Sequence, residues 1–440
     1  MARPARLAFH PAMQSVAIWR VWRTPPLTGE PTLDASQIKP PRDRTAPLVF
    51  TAGFRFFFLA AGLFAVISMA AWLVWLALHA GGAAIREPTI DVAPHLWHGH
   101  EMIFAYAVAV LAGFFLTAVP SWTGAPAAPA VFVSVTGAIW LAGRLAVWFS
   151  AWLDPFIVAV IDLAFLPPLM LRIGLGLRRR PQPHNVILVG LLTLIVAGNL
   201  LVHLEWTGVT TDTAAAGSRL GLLTIAALIT IIGGRVIPGF TKNALVRRGL
   251  TDKLPVNHGV LSKGGIGAAV LLAPSVAAGL PDVALGVLAL AAALLNGARL
   301  AGWRSQDTLG EPILWSLHLA YAMLVLGYGV LAATYLTGWS HEVAALHLTA
   351  IGAVGGMTLA MMSRAALGHT GRALTVSTRT ALAYLAIAAA ALIRAFGPAL
   401  APGLYNSVMM ISGALWVTGF AIFVAAYWPI LTGPDQRREL

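Results

Sequence analysis

The chain has 440 residues, of which 58% are hydrophobic and only 10% charged, and its net charge is +12. So few charges cannot cover a soluble domain of this length, which excludes a water-soluble protein and requires a polytopic membrane protein. Cysteine is absent, which excludes disulfides, thiolate-held clusters and zinc-thiolate sites, so any metal must rest on His, Met, Asp, Glu or backbone.

Residues 1–47 read as a Pro- and Arg-rich cytoplasmic tail carrying Arg3, Arg6, Arg20, Arg23, Lys39, Arg42 and Arg44. They contain no apolar core of signal-peptide length, and no cleaved leader is expected. Residues 48–440 form the expected membrane domain. A span needs roughly 20 apolar residues, and twelve windows qualify: 56–79, 98–120, 128–149, 154–174, 184–205, 216–237, 261–279, 281–301, 312–337, 341–363, 376–396 and 404–431. The seventh is the weakest, because Pro274 interrupts it. Leu280-Pro281 separates it from the eighth so narrowly that the two are expected to form a tight hairpin or a re-entrant pair.

Charge tests this count independently. With both termini cytoplasmic, the inner segments hold 24 of the 29 Lys and Arg residues, among them Arg178 to Arg180 and Lys242, Arg247 and Arg248. The outer side holds four, namely Arg86, Arg144, Arg219 and Arg394, and Arg235 lies at the inner end of the sixth span. The positive-inside rule therefore supports twelve helices with both ends inside. The basic charge sets orientation and is no nucleic-acid footprint.

This orientation gives the histidines a depth. His79, His95, His98, His100, His203, His341 and His347 are expected at the outer face, seven of the twelve in the chain. His318 lies in the inner half of the ninth span, and His10, His184, His258 and His369 fall in cytoplasmic segments or at their borders, with His369 in the loop after the tenth span. The sequence Pro94-His-Leu-Trp-His-Gly-His-Glu-Met at the mouth of the second span is the densest cluster. Ionisable groups at membrane depth are tolerated where they face a bundle interior, a partner or a cofactor, so this cluster marks a functional site.

At about 100° per residue, His95, His98 and Met102 share one helix face, and His100 points about 200° from His98. One helix mouth can thus serve two sites. Imidazole is an axial haem ligand, and imidazole with thioether suits copper. His203 and His347, at comparable depth on the fifth and tenth spans, are the cross-bundle partners. His98, His100, His203 and His347 are the first candidates as ligands, with His95, Met102 and His318 behind them. Interfacial histidines hydrogen-bonded to water and lipid heads are the plain alternative for each residue alone.

Arg144 and Asp162 lie on consecutive spans and read first as a structural ion pair. Alternatively, Arg144 or Arg394 holds haem propionates, since guanidinium binds carboxylate bidentately. Asn199, one turn before His203, is placed to fix that ring's tautomer. No Walker loop or dinucleotide fingerprint is present.

A faint repeat joins the ends of the second, sixth and tenth spans: Gly113-Phe-Phe-Leu-Thr-Ala-Val-Pro, Ile232-Gly-Gly-Arg-Val-Ile-Pro and Gly355-Gly-Met-Thr-Leu-Ala-Met-Met. Three four-helix blocks would resemble haem-copper oxidases, whose metal-ligating histidines lie on those three spans, although the sixth span here has none. Further motifs carry a closer resemblance: Gly53-Phe-Arg-Phe-Phe-Phe, Trp97-His-Gly-His-Glu-Met, Leu116-Thr-Ala-Val-Pro-Ser-Trp-Thr-Gly, Trp140-Leu-Ala-Gly-Arg, Gly233-Gly-Arg-Val-Ile-Pro-Gly-Phe-Thr-Lys-Asn, and His347-Leu-Thr-Ala-Ile-Gly-Ala-Val-Gly-Gly-Met through Leu367-Gly-His-Thr-Gly-Arg372. Together these resemble the NnrS family from about residue 47 to the C-terminus. The resemblance implies a bacterial inner-membrane protein containing haem and copper that responds to nitric oxide in denitrifying or nitrosatively stressed cells. It assigns no histidine to either metal. Nitric oxide is then the expected small ligand, the lipid bilayer the surroundings, and binding, redox conversion or protection of metal pools the expected roles. A twelve-helix secondary transporter and a respiratory-type oxidase or nitric-oxide reductase are the competing readings.

Overall fold

The structure is a computed structural model that describes residues 46–82, 89–180, 183–339 and 341–436. The tail through residue 45, together with Arg86, Arg437 and Arg438, lies outside the described residues. Among those described there is no strand, and twelve helices are long and apolar enough to cross a membrane. They are α1 Gly53–Ala80, α2 Pro94–Thr123, α3 Ala130–Trp148, α4 Pro155–Arg178, α5 Asn185–Trp206, α6 Thr213–Arg247, α7 Gly259–Ala277, α8 Asp282–Ala301, α9 Pro312–Thr337, α10 Glu342–His369, α11 Thr378–Leu400 and α12 Pro402–Thr432.

Local chemistry explains most boundaries. Proline opens α2, α4 and α9, where its fixed φ suits the first turn and its missing N–H costs no bond. Asp154 caps α4 by accepting from Phe156 N at 2.8 Å, and Ser377 caps α11 by accepting from Thr380 N at 3.2 Å. Gly124 (φ 69°) and Gly338 (φ 66°) end α2 and α9 in the left-handed region that a side chain would disfavour. The α7–α8 connection is a tight hairpin through Ala278–Pro281, turning at Gly279. Pro274 does not interrupt α7 as the sequence suggests: it sits in the last turn, where few i→i−4 bonds remain to be lost, and the helix continues to Ala277.

Two irregularities shape the site. α4 breaks between Leu163 and Leu166, where Pro167 and Pro168 withhold N–H donors from the preceding turn. α2 and α10 each carry a π-helical stretch, Glu101–Ala107 and Leu348–Gly355, and each stretch begins immediately after a histidine, His100 and His347. Such wide turns are rare and concentrate at functional sites.

Three spans form the interior. The apolar windows of α6, α2 and α10 are 94%, 78% and 72% buried, against 50% or less for the other nine. These are the spans joined by the faint sequence repeat. Lipid tails are as apolar as leucine, so packing here is driven by close contact rather than water exclusion. Gly198 of α5 and Gly217 of α6 show this: a Cβ on either would collide with the other's backbone carbonyl. α12 packs on both α11 and α1, and Trp416 Nε1 donates to Ala65 O at 3.0 Å, so the last span closes against the first. At the chain's ends Arg55 Nη1 donates to Leu431 O and Gly433 O, both at 2.7 Å, which puts the first and last described segments at one end of the bundle. We call the opposite end, where α2 and α10 begin, the histidine end.

Candidate metal centre

At the histidine end, His100 projects from the start of α2 into the bundle and is fully buried. Its Nδ1 lies 2.9 Å from Glu101 Oε1, and its Nε2 lies 2.9 Å from Asn199 Oδ1 and 3.3 Å from Asp162 Oδ2. Asp162 reaches this point from the last turn before the α4 break. His203 Nε2 is 2.9 Å from the same Asp162 oxygen, to which Asn199 Nδ2 also donates at 2.9 Å. Arg144 of α3 lies between the two acids, donating through Nη1 to Glu101 and through Nη2 to Asp162. Trp206 closes the group: its ring centroid is 4.9 Å from His100 and 5.2 Å from His203, and its Nε1 is buried without a partner.

The electrostatics follow from the inventory. Glu101 and Asp162 bring two negative charges into dry surroundings and Arg144 returns one; the second positive charge comes from a proton on His100, whose two ring nitrogens both face acceptors, or from a metal ion that displaces it. Buried charge of this kind must be neutralised by a proton or a cation. One donor atom each from His100, Asp162 and His203 lie within 4.8 Å of one another, all buried. Two imidazole nitrogens and a carboxylate oxygen make a donor set that a transition metal accepts.

Two further histidines lie outside this group. His98 stacks on Trp72 of α1, with centroids 4.7 Å apart and planes 13° from parallel, and its Nδ1 is buried without a partner. His347 of α10 points its Nδ1 at Val343 O at 2.7 Å, so Nδ1 carries the proton and Nε2 keeps its lone pair.

The remaining sequence candidates separate. His95 is exposed at the mouth of α2, and Met102, inside the π-helical stretch that starts at Glu101, is half-buried among apolar neighbours. His318 belongs to the opposite half of the bundle, its Nε2 2.8 Å from Thr241 Oγ1 and its Nδ1 2.8 Å from Ser305 Oγ. His369 is the last residue of α10 rather than part of a loop, because the helix runs past its apolar window; it lines a half-open cleft of about 260 Å³ with Arg55 and Asp435. His203 and His347 are not brought together: His203 meets His100 of α2, with ring centroids 5.3 Å apart, whereas His347 bonds Val343 O of its own helix. Asn199 bonds His100, not His203, and reaches His203 only through their shared carboxylate. Arg144 forms the expected ion pair with Asp162, and Glu101 joins it.

Sequence reasoning left Asp162, Glu101 and Trp206 out of the ligand candidates. Asp162 was the findable one, since a lone carboxylate in an apolar span needs a partner worth its desolvation.

Fold and site together define a multi-pass helical membrane protein with a histidine–carboxylate cluster sealed into one end of its bundle. The model of the NnrS protein family matches residues 48–435, and the chain belongs to that family, a group of membrane proteins related to the nitric-oxide response. Among curated proteins nothing matches the chain.

Proposed function

We propose that the chain is a bacterial inner-membrane metalloprotein of the nitric-oxide response, containing copper and haem, and that His100, Asp162 and His203 hold the copper. One observation carries the reading: three buried donor atoms converge within 4.8 Å in a cluster where two carboxylates share one guanidinium, so that a metal ion can replace the balancing proton. A copper ion there would supply a one-electron redox centre able to coordinate a small diatomic ligand.

The chain's own residues prepare that place. Arg144 holds Glu101 and Asp162 in position, and Asn199 bridges His100 to Asp162, so the donors are oriented by neighbours that are themselves hydrogen-bonded. The bundle wall and the Trp206 ring exclude water, and the unpartnered Trp206 N–H is a donor within the same enclosure. Nitric oxide is uncharged and lipid-soluble, so it reaches such a place from the bilayer without a charged channel. Binding, redox conversion and protection of metal pools are all open to such a centre.

The test is elemental analysis and electron paramagnetic resonance of detergent-purified protein. Wild type should carry copper, or take it up when copper is added, and His100→Ala and His203→Ala should lose it. Wild-type copper in both variants, or no copper in wild type after loading, would leave a proton as the balancing cation and sink the reading. A secondary transporter draws on one observation, the mid-span interruption of α4 beside Asp162, since broken helices form transport sites. Uptake of a solute into vesicles by metal-free protein would favour it.

A further inference from the structure

The end of the bundle opposite the histidines holds a half-open cleft of about 260 Å³ that the copper reading does not use. Three stretches singled out in the sequence meet in it: Gly53-Phe-Arg at the start of α1, Leu116-Thr-Ala-Val-Pro-Ser near the end of α2, and His369 at the end of α10. Its walls are helix ends, which sets it at the level of lipid headgroups rather than acyl chains. Its volume falls below the roughly 300–1,000 Å³ of pockets that enclose a drug-sized ligand. It suits the polar end of a molecule whose remainder stays outside.

Charge decides what kind of end. Inside the cleft Arg55 is balanced, since its Nη2 donates to Asp435 Oδ1 at 2.5 Å. Two arginines at the rim are held but not balanced. Arg172 of α4 donates through Nη2 to Pro126 O at 3.0 Å and to Ala127 O at 2.9 Å, and Ala127 is part of the lining. Arg372 donates through Nη2 to Pro434 O at 3.3 Å, next to Asp435 in the wall, and its Nη1 is buried without a partner. Neither forms an ion pair among the described residues. Backbone carbonyls thus fix one nitrogen of each guanidinium and leave the others for an anion. The start of α1 acts in the same sense, because its N-cap Ala52, also in the lining, has no side-chain oxygen to take the first N–H groups.

The interior of the cleft favours hydroxyls. Thr117 Oγ1 donates to Gly113 O at 2.7 Å and Ser121 Oγ to Thr117 O at 3.1 Å, so each oxygen has committed its proton and offers lone pairs to a donor.

We propose that this cleft binds an anionic phospholipid of the cytoplasmic leaflet, of the phosphatidylglycerol class, with its phosphate at the Arg172 and Arg372 rim and its terminal glycerol inside. Basic pockets between spans on that side of a membrane recognise such headgroups. The proposal shares no residue with the copper site and does not depend on it.

The experiment titrates detergent-purified full-length protein with phosphatidylglycerol, and separately with phosphatidylcholine of the same acyl chains, and counts bound lipid by native mass spectrometry. Wild type should hold one phosphatidylglycerol per chain at least tenfold more tightly than phosphatidylcholine. Replacing both rim arginines, Arg172→Gln with Arg372→Gln, should weaken that binding at least about tenfold. Ser121→Phe, which fills the exposed mouth without changing charge, should weaken it as well. Lys242→Gln with Lys253→Gln removes the same charge from the same end at residues outside the lining, and should leave it unchanged. Monodisperse elution reports folding, and copper per chain, whatever its wild-type value, should be the same in every variant. Equal weakening in the lysine pair would mean diffuse surface attraction and overturn the proposal. So would phosphatidylcholine bound as tightly as phosphatidylglycerol, or unchanged affinity in the arginine pair and in Ser121→Phe. Displacement of the lipid by an equal concentration of inorganic phosphate would assign the cleft to a free anion instead, and would overturn it too.

Discussion

Asp162→Asn and Arg144→Met each remove one charge from the same ion pair, yet they should differ in opposite ways for stability and for metal. Asparagine keeps the shape and one carbonyl oxygen for Arg144. Its amide, however, would face Asn199 Nδ2 and His203 Nε2, so two bonds to a charged acceptor are lost at about 1.5–3 kcal/mol each. Against that, Glu101 and Arg144 then balance without a second positive charge on His100, which offsets much of the loss. We expect a net cost on the order of 1–3 kcal/mol. Arg144→Met leaves Glu101 and Asp162 both buried without their shared guanidinium, and breaking a buried pair this way costs about 3–5 kcal/mol.

The stability order is therefore wild type, Asp162→Asn, Arg144→Met, and the double variant should be more stable than Arg144→Met alone. Thermal denaturation in one detergent, in the presence of chelator, reads that order. Copper separates the variants again. A ligand at a hundred times its dissociation constant stabilises the protein that binds it by about 2.7 kcal/mol, so added copper should raise the midpoint of wild type and leave Asp162→Asn unmoved. An Arg144→Met protein as stable as wild type, or one more stable than Asp162→Asn, would refute the charge argument.

Three further outcomes test other parts of the fold. Gly234→Ala would put a methyl where the Arg299 guanidinium lies, and that group is fixed by Asn296 Oδ1 at 2.7 Å and Tyr321 Oη at 3.0 Å. We expect a loss of about 1–3 kcal/mol, whereas Gly329→Ala, with nothing near the added Cβ, should be neutral or stabilising in the same thermal assay. Arg55→Lys cannot reproduce a fork that reaches Leu431 O, Gly433 O and Asp435 together, so the C-terminal segment should be cleaved faster in limited proteolysis. The absence of native cysteine makes orientation readable with single thiols. Trp339→Cys at the histidine end should react with a membrane-impermeant maleimide from the periplasmic side, and Lys253→Cys only after the inner side is opened.

How much of this was legible in the sequence follows from what each signal depends on. Span number depends on run length alone, and all twelve windows became helices. Boundaries depend on caps and on polar residues that a helix can carry beyond the apolar zone. α6 accordingly extends to Arg247, ten residues past its window, and α10 carries His369 inside the helix. Direction around one helix is also sequence information, since 100° per residue separates His98 from His100 and the structure does send them to different neighbours.

What sequence could not supply is azimuth between helices. Asp162 became the centre of the site through two features that spacing does not encode. The α4 break ends one helical segment just after it, and the close approach of α5 to α6 through Gly198 and Gly217 fixes where α5 carries Asn199 and His203. The same gap explains why His203 and His347 looked like partners: equal depth was visible, but not that His203 alone turns toward His100. Charge then does what geometry alone cannot. His98 and His100 both leave the first turns of α2, yet only His100 enters a group with other ionisable side chains. The two carboxylates sit with Arg144 beside His100 and His203, whereas His98 meets the Trp72 ring and His347 a carbonyl of its own helix, so two histidines two residues apart on α2 enter surroundings of different polarity.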